Sequence, residues 1–209
     1  MKKKIISAVL AGSMLIALSG CSITLGNPYS EEKTIAGLEK SLEAEEIDSD
    51  DMLDILEEED FGECEDGVYA KMSKKENKKA YNTLDLNQFF PGVKKVESAV
   101  SYLKTNDIDN QDRYVLWITS SEFTESDDAR DFFDDTLDIW EDLNEDFDFG
   151  DSEKLSQAYF YYDDGRQDLY GGIYMHGKRV ISIICVNDPD DMDAFCHEMK
   201  INSPSSVED

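Results

Sequence analysis

The stretch QAYFYYDDGRQDLYGGIYMHGKRVISIICV, residues 157–186, decides the fold. It is rich in aromatic and β-branched residues, the types that fit a pleated, half-buried surface, and turn chemistry cuts it twice. Asp163-Asp164-Gly165 separates Gln157–Tyr162 from Asp168–Met175, and His176-Gly177 separates that run from Lys178–Val186. Glycine accepts the positive φ of tight hairpin turns, so the spacing predicts three antiparallel strands in a meander. Gly171-Gly172 falls mid-strand, which signals a bulge or a close backbone approach.

Working outward, Tyr114–Phe123 reads as another strand, largely buried at Val115-Leu116-Trp117-Ile118. A helix follows over Ser126–Leu143, where Ala129, Phe132, Phe133, Thr136, Leu137, Trp140 and Leu143 recur at helical spacing. Beyond the meander, Pro189 opens a last helix with Met192, Phe195, Cys196 and Met199 on one face. The order strand, helix, three strands, helix predicts the α+β class: an antiparallel sheet with helices packed on one face. Residues 67–201 form this domain, and 202–209 a loose polar tail.

An N-terminal helical segment, residues 30–66, precedes it. Ser30 is placed to cap a first helix carrying Ile35, Leu38 and Leu42, and a second runs over Ser49–Glu59 until Phe61-Gly62. Between these helices and Tyr114, Val68–Met72 reads as a strand with Lys79–Leu84 as its hairpin partner. The segment 93–103 fits a helix through Val93, Val96, Val100 and Leu103 and a strand through Val96, Ser98, Val100 and Tyr102, so periodicity leaves both open.

The first twenty residues have the three parts of an export signal. Lys2, Lys3 and Lys4 are followed by an apolar run from Ile5 to Leu18, shorter than the roughly 20 residues a permanent span needs. The run ends in Leu18-Ser19-Gly20-Cys21. That box resembles the cleavage site of bacterial lipoproteins. The resemblance implies cleavage between Gly20 and Cys21, diacylglycerol on the Cys21 thiol, a lipidated tether over 21–29, and a protein held at the extracytoplasmic face of the cell membrane. The box, the run Trp117–Asp131 with Phe132-Phe133, and Tyr170–Val186 together resemble uncharacterised lipoproteins of Gram-positive, Clostridium-like bacteria, which bring no known active site with them.

The formal net charge is −28, and loss of the three signal lysines moves it to about −31. Such a chain is repelled by nucleic acid and by anionic lipid, so neither is an expected partner of the domain. Ten Tyr, ten Phe and two Trp supply the aromatic mass of a folded core. Cys64, Cys185 and Cys196 permit at most one internal disulfide, and the sequence does not say whether one forms.

Catalytic signatures are sparse. There is no Gly-x-Ser-x-Gly elbow, no phosphate-binding glycine loop and no His-Glu-x-x-His pair. Cys196 and His197 are sequence neighbours on a helix and so point about 100° apart, which argues against a thiol–imidazole dyad. The strongest pattern is acidic: Asp127, Asp131, Asp134, Asp138, Glu141 and Glu145 step by three and four along the helix from Ser126, opposite its apolar face. This stripe is a solvated face or a surface for a cationic protein, an envelope component or divalent ions such as calcium. Asp146–Asp151 and Asn106–Asp112 alternate carboxylates, yet neither has the glycine and terminal glutamate of the twelve-residue calcium loop. The lysines Lys71, Lys74, Lys75, Lys78 and Lys79 break the acidic field by pairing in cis, guarding a strand edge or facing the membrane. The expectation is a non-catalytic, strongly acidic binding domain, with a calcium-binding lipoprotein and an envelope enzyme as alternatives.

Overall fold

In the computed structural model, the residues described are 27–57, 64–106, 114–143, 148–152, 156–163 and 165–207. Residues 1–26, Cys21 among them, lie outside them, as does Glu145. The elements run α1 (Glu31–Leu42), β1 (Glu45–Glu46), α2 (Ser49–Glu57), β2 (Cys64–Ser73), α3 (Lys74–Thr83), β3 (Val96–Thr105), β4 (Val115–Phe123), α4 (Ser126–Leu143), β5 (Asp148–Ser152), β6 (Gln157–Asp163), β7 (Asp168–His176), β8 (Arg179–Val186) and α5 (Asp190–Met199), with short 3₁₀ turns at Leu86–Gln88 and Pro204–Val207.

The strands form one sheet in the order β1-β2-β3-β4-β8-β7-β6-β5. Every pairing is antiparallel except that of the two-residue β1 with β2. The meander is as expected, with Gly165 at φ +77° and Gly177 at φ +61° taking the turns. The glycine pair marks close packing, and the ladder runs through it without a bulge. A Cβ on Gly171 would lie 2.1 Å from the Phe160 ring, and one on Gly172 would lie 2.6 Å from the Tyr174 hydroxyl.

The α+β class holds, but the helices expected on one face occupy both. Over one face α2, α3 and α4 cover Leu103, Trp117, Val180, Ile184 and Phe160. Over the other α1 and α5 cover Val100, Tyr102, Ile118, Ile181, Ile183 and Cys185. The N-terminal helices therefore share the sheet's own cores rather than standing apart from it. On the first face Trp140 meets the Phe160 ring edge-on at 4.8 Å between centroids, and its indole N–H donates to the Phe89 carbonyl at 2.7 Å. Each side chain of this size gains about 1.5–3 kcal/mol from burial.

Two local expectations are corrected, and one left open is settled. Lys79–Leu84 is not a strand: Lys74–Thr83 is α3, started by a Ser73-x-x-Glu76 box in which the Ser73 N–H donates to the Glu76 carboxylate at 2.6 Å. That bond is the leading reason the Glu76 carboxyl is held below the usual range. The ambiguous 93–103 segment resolves as β3, whose residues are mostly buried because helices lie on both sides of it. The tail is held through Val207, since the Ser203 and Ser205 hydroxyls donate to Asp193 and Pro204 is buried.

Candidate functional site

Helix α4 is built as its sequence dictates. Ala129, Phe132, Phe133, Thr136 and Trp140 are buried against the sheet, and Thr136 satisfies its hydroxyl on the Phe132 carbonyl at 2.7 Å. The opposite side carries Asp127, Asp131, Asp134, Asp138 and Glu141, all exposed. Among the described residues none of these five has a lysine or arginine within ion-pair distance. Asp128, outside the stripe, does pair with Lys95 and raises the Lys95 pKa. Arg130 reaches the Ser156 hydroxyl and lies over the Phe133 ring. Asp131 lines a small cleft with Lys94 and Lys95 and adds to the rise of the Lys95 pKa, so the stripe is a row of carboxylates without a direct ion pair among the described residues rather than one remote from all cations.

The lysine cluster behaves differently. Lys71 pairs with Glu46 at 3.1 Å and Lys79 with Glu57 at 2.7 Å, so part of it answers acids of β1 and α2 in cis. Lys74, Lys75 and Lys78 are exposed on α3.

The thiols and imidazoles do not assemble. Cys64, Cys185 and Cys196 are all free and buried. Burial raises the Cys185 thiol and pushes Cys196 up to about 12, so both stay protonated near neutrality. His197 is exposed while its neighbour Cys196 faces the core, as helix geometry requires. His176 ends β7 and contacts the Tyr29 ring edge-on. No group of three or more His, Cys, Asp or Glu is placed to hold a metal ion among the described residues. Of the two acidic segments weighed for calcium, residues 107–112 of the first and 146–147 of the second lie outside those residues.

The tyrosines divide between the faces, because successive strand residues point to opposite sides. Tyr161 stacks on Tyr170 at 5.1 Å, and its hydroxyl donates to Asp168 at 2.9 Å. Tyr174 is fully buried, with its hydroxyl donating to the Asn202 carbonyl at 2.7 Å. Tyr162 points instead into a cleft that sequence reasoning missed.

That cleft lies at the sheet end where β4 begins and β8 ends. Its floor is a cross-strand row, Tyr162–Leu169–Val186–Val115, paired residue by residue. Its roof is Leu84, Leu86 and Phe89, and the volume is about 430 Å³. No charged side chain lines it. On the opposite face of the same sheet end, a polar cleft of about 520 Å³ includes Lys104, Tyr114, Arg166 and Asp191. Lys104 and the Tyr114 hydroxyl both close on Asp191, at 2.5 and 3.2 Å. The signal for these clefts was present in the sequence only as strand ends, which periodicity locates poorly.

No family model matches the chain, and no curated protein does. Among solved structures, the extracellular domain of PknH from Mycobacterium tuberculosis is similar over 58% of this chain and 66%, just under two thirds, of that one, at 10% identity and a TM-score of 0.37. Among the described residues, no helix is long and apolar enough to cross a membrane.

Proposed function

We propose that the chain is a lipoprotein held at the extracytoplasmic face of the cell membrane by diacylglycerol on Cys21, and that its domain is a non-catalytic module binding a cationic protein or envelope component through α4. The observation that carries the binding part is the exposed row Asp127, Asp131, Asp134, Asp138 and Glu141, a continuous acidic stripe without an ion pair among the described residues. Like charges three and four residues apart oppose helix formation by about 0.2–0.5 kcal/mol per pair. A partner supplying lysines or arginines would relieve that repulsion, and salt would weaken the contact. The Leu18-Ser19-Gly20-Cys21 box supports the anchoring part.

Binding of a lysine-rich peptide, followed by fluorescence anisotropy at low and high salt, tests the surface. The wild-type chain is expected to bind in a salt-sensitive way, and D131N/D134N/D138N to lose about tenfold or more in affinity, the equivalent of 1.4 kcal/mol. Equal affinity of the two proteins would remove α4 as the site. Mass spectrometry of the N-terminal peptide tests the anchor, since an unmodified Cys21 thiol would end that reading.

A further inference from the structure

Between α1 and the end of α5 lies a groove of about 320 Å³, lined among others by Pro28, Lys33, Ala36, Lys40, Glu198 and Lys200. Its composition runs against the rest of the molecule. Three lysines face one glutamate here, in a chain of net charge −28. Lys40 is fixed on Glu198 at 2.6 Å, and all three lysines are exposed. Glu32 and Glu39, also exposed on α1, are not part of the lining.

The groove also marks where the tether arrives. Pro28 is at its edge, and Asn27 is pinned beside the β7–β8 turn by its side-chain amide donating to the His176 carbonyl at 3.2 Å. Cys21 precedes Asn27 by six residues, which span at most about 20 Å even when fully extended. A lipid on Cys21 therefore holds the bilayer surface within reach of these lysines.

We propose that this groove docks on anionic phospholipid headgroups beside the acyl anchor. The inference rests on the lipoprotein reading and adds an orientation to it. Each lysine brought to an anionic leaflet contributes about a fivefold gain in partitioning. Helix α4 lies across the sheet from α1 and α5. The α1–α5 layer alone is about 10 Å thick, more than the Debye length of about 8 Å in physiological salt. Docking on this side therefore holds the acidic stripe beyond the repulsion of the leaflet and turned toward an approaching partner.

The test uses the mature lipidated chain in vesicles of phosphatidylcholine alone and of phosphatidylcholine mixed with phosphatidylglycerol. A water-soluble amine-acylating reagent labels exposed lysines, read by mass spectrometry. Lys33 and Lys200 are expected to be protected about fivefold in the phosphatidylglycerol vesicles only, with Lys78 and Lys79 across the sheet unchanged. Restoring full labelling by K40Q at its groove neighbours would support a shared headgroup site. Equal labelling in both vesicle types, with the protein floating in both, would overturn the docking while leaving the anchor intact. An N-terminal peptide without diacylglycerol would overturn the lipoprotein reading itself, and the docking with it.

Discussion

The two faces of the sheet are covered in different ways. On the α2–α3–α4 side the cover is an aromatic lattice: Phe90, Trp140, Phe160 and Phe89 contact one another in sequence, and Phe123 packs on Phe132. On the α1–α5 side two helices meet where Gly37 approaches Met199, over a core of Tyr, Ile and two buried thiols. The first face is held by large rigid rings and turns its acids outward. The second mixes tyrosine rings and Phe195 with isoleucines, thiols and methionines, and its helix contact is closed by the Met199 side chain. A rigid lattice tolerates little change, whereas a methionine-lined contact can shift to admit it.

The largest expected effect probes the lattice. Trp140→Ala removes the ring that meets Phe160 and leaves the Phe89 carbonyl without its indole donor, so a loss of about 3–5 kcal/mol is expected. Urea denaturation followed by far-UV circular dichroism measures it. A loss under about 1 kcal/mol would mean that the aromatic side is no more rigid than the other.

The same substitution made once on each face sharpens the contrast. Gly171→Ala places a Cβ 2.1 Å from a Phe160 ring already flanked by Trp140 and Phe89, and should destabilise by about 1–3 kcal/mol. Gly37→Ala meets the Met199 sulfur at 2.8 Å, with Met199 Cγ and the Phe195 ring at an ordinary 3.5 Å. The methionine side chain can move, and alanine in a helix recovers up to about 1 kcal/mol, so the net change should be near zero. Equal losses at the two positions would erase the distinction between the faces.

This arrangement also explains what the sequence could and could not reveal. Strands covered on one side alternate apolar and polar residues, whereas strands covered on both read as continuous apolar runs. All of β8 except Val186 is buried, and its run Ile181-Ser182-Ile183-Ile184-Cys185 carried that signal, although the element order alone suggested helices on one face. Helix α4 was legible to the residue because a broad apolar face opposes an unbroken acidic one. Helix α3 was hidden because its face toward the core is Asn77, Ala80 and Tyr81, too weakly apolar for a periodic pattern. The acidic stripe was legible for the same reason as its helix. The lysine groove was not, since it joins α1 to residues more than 150 positions away.

Helix α3 offers a smaller test on the aromatic side, because its start depends on one carboxylate rather than on burial. Glu76→Ala should lower stability by about 1 kcal/mol at neutral pH. The Glu76 pKa is depressed in the folded state, chiefly by the Ser73 N–H, so its contribution is present above the ordinary carboxylate range and is lost as the pH falls through the lowered value. The stability gap between wild type and Glu76→Ala should therefore close in acid. A gap that stayed constant down to low pH would assign the loss to packing rather than to the cap.

The smallest effect has the opposite sign and concerns the outward side of the same face. Asp134 and Asp138 are exposed four residues apart on α4, with no cation within ion-pair distance among the described residues. Asp134→Asn with Asp138→Asn removes like-charge repulsion and should stabilise the fold by about 0.2–0.5 kcal/mol at low ionic strength, with the gain fading as salt is added. Thermal unfolding at two salt concentrations reads it. A gain would mean that the stripe opposes the stability of the helix that displays it. Its carboxylates would then stand apart from the Trp140 lattice beneath them, which holds the fold against their repulsion.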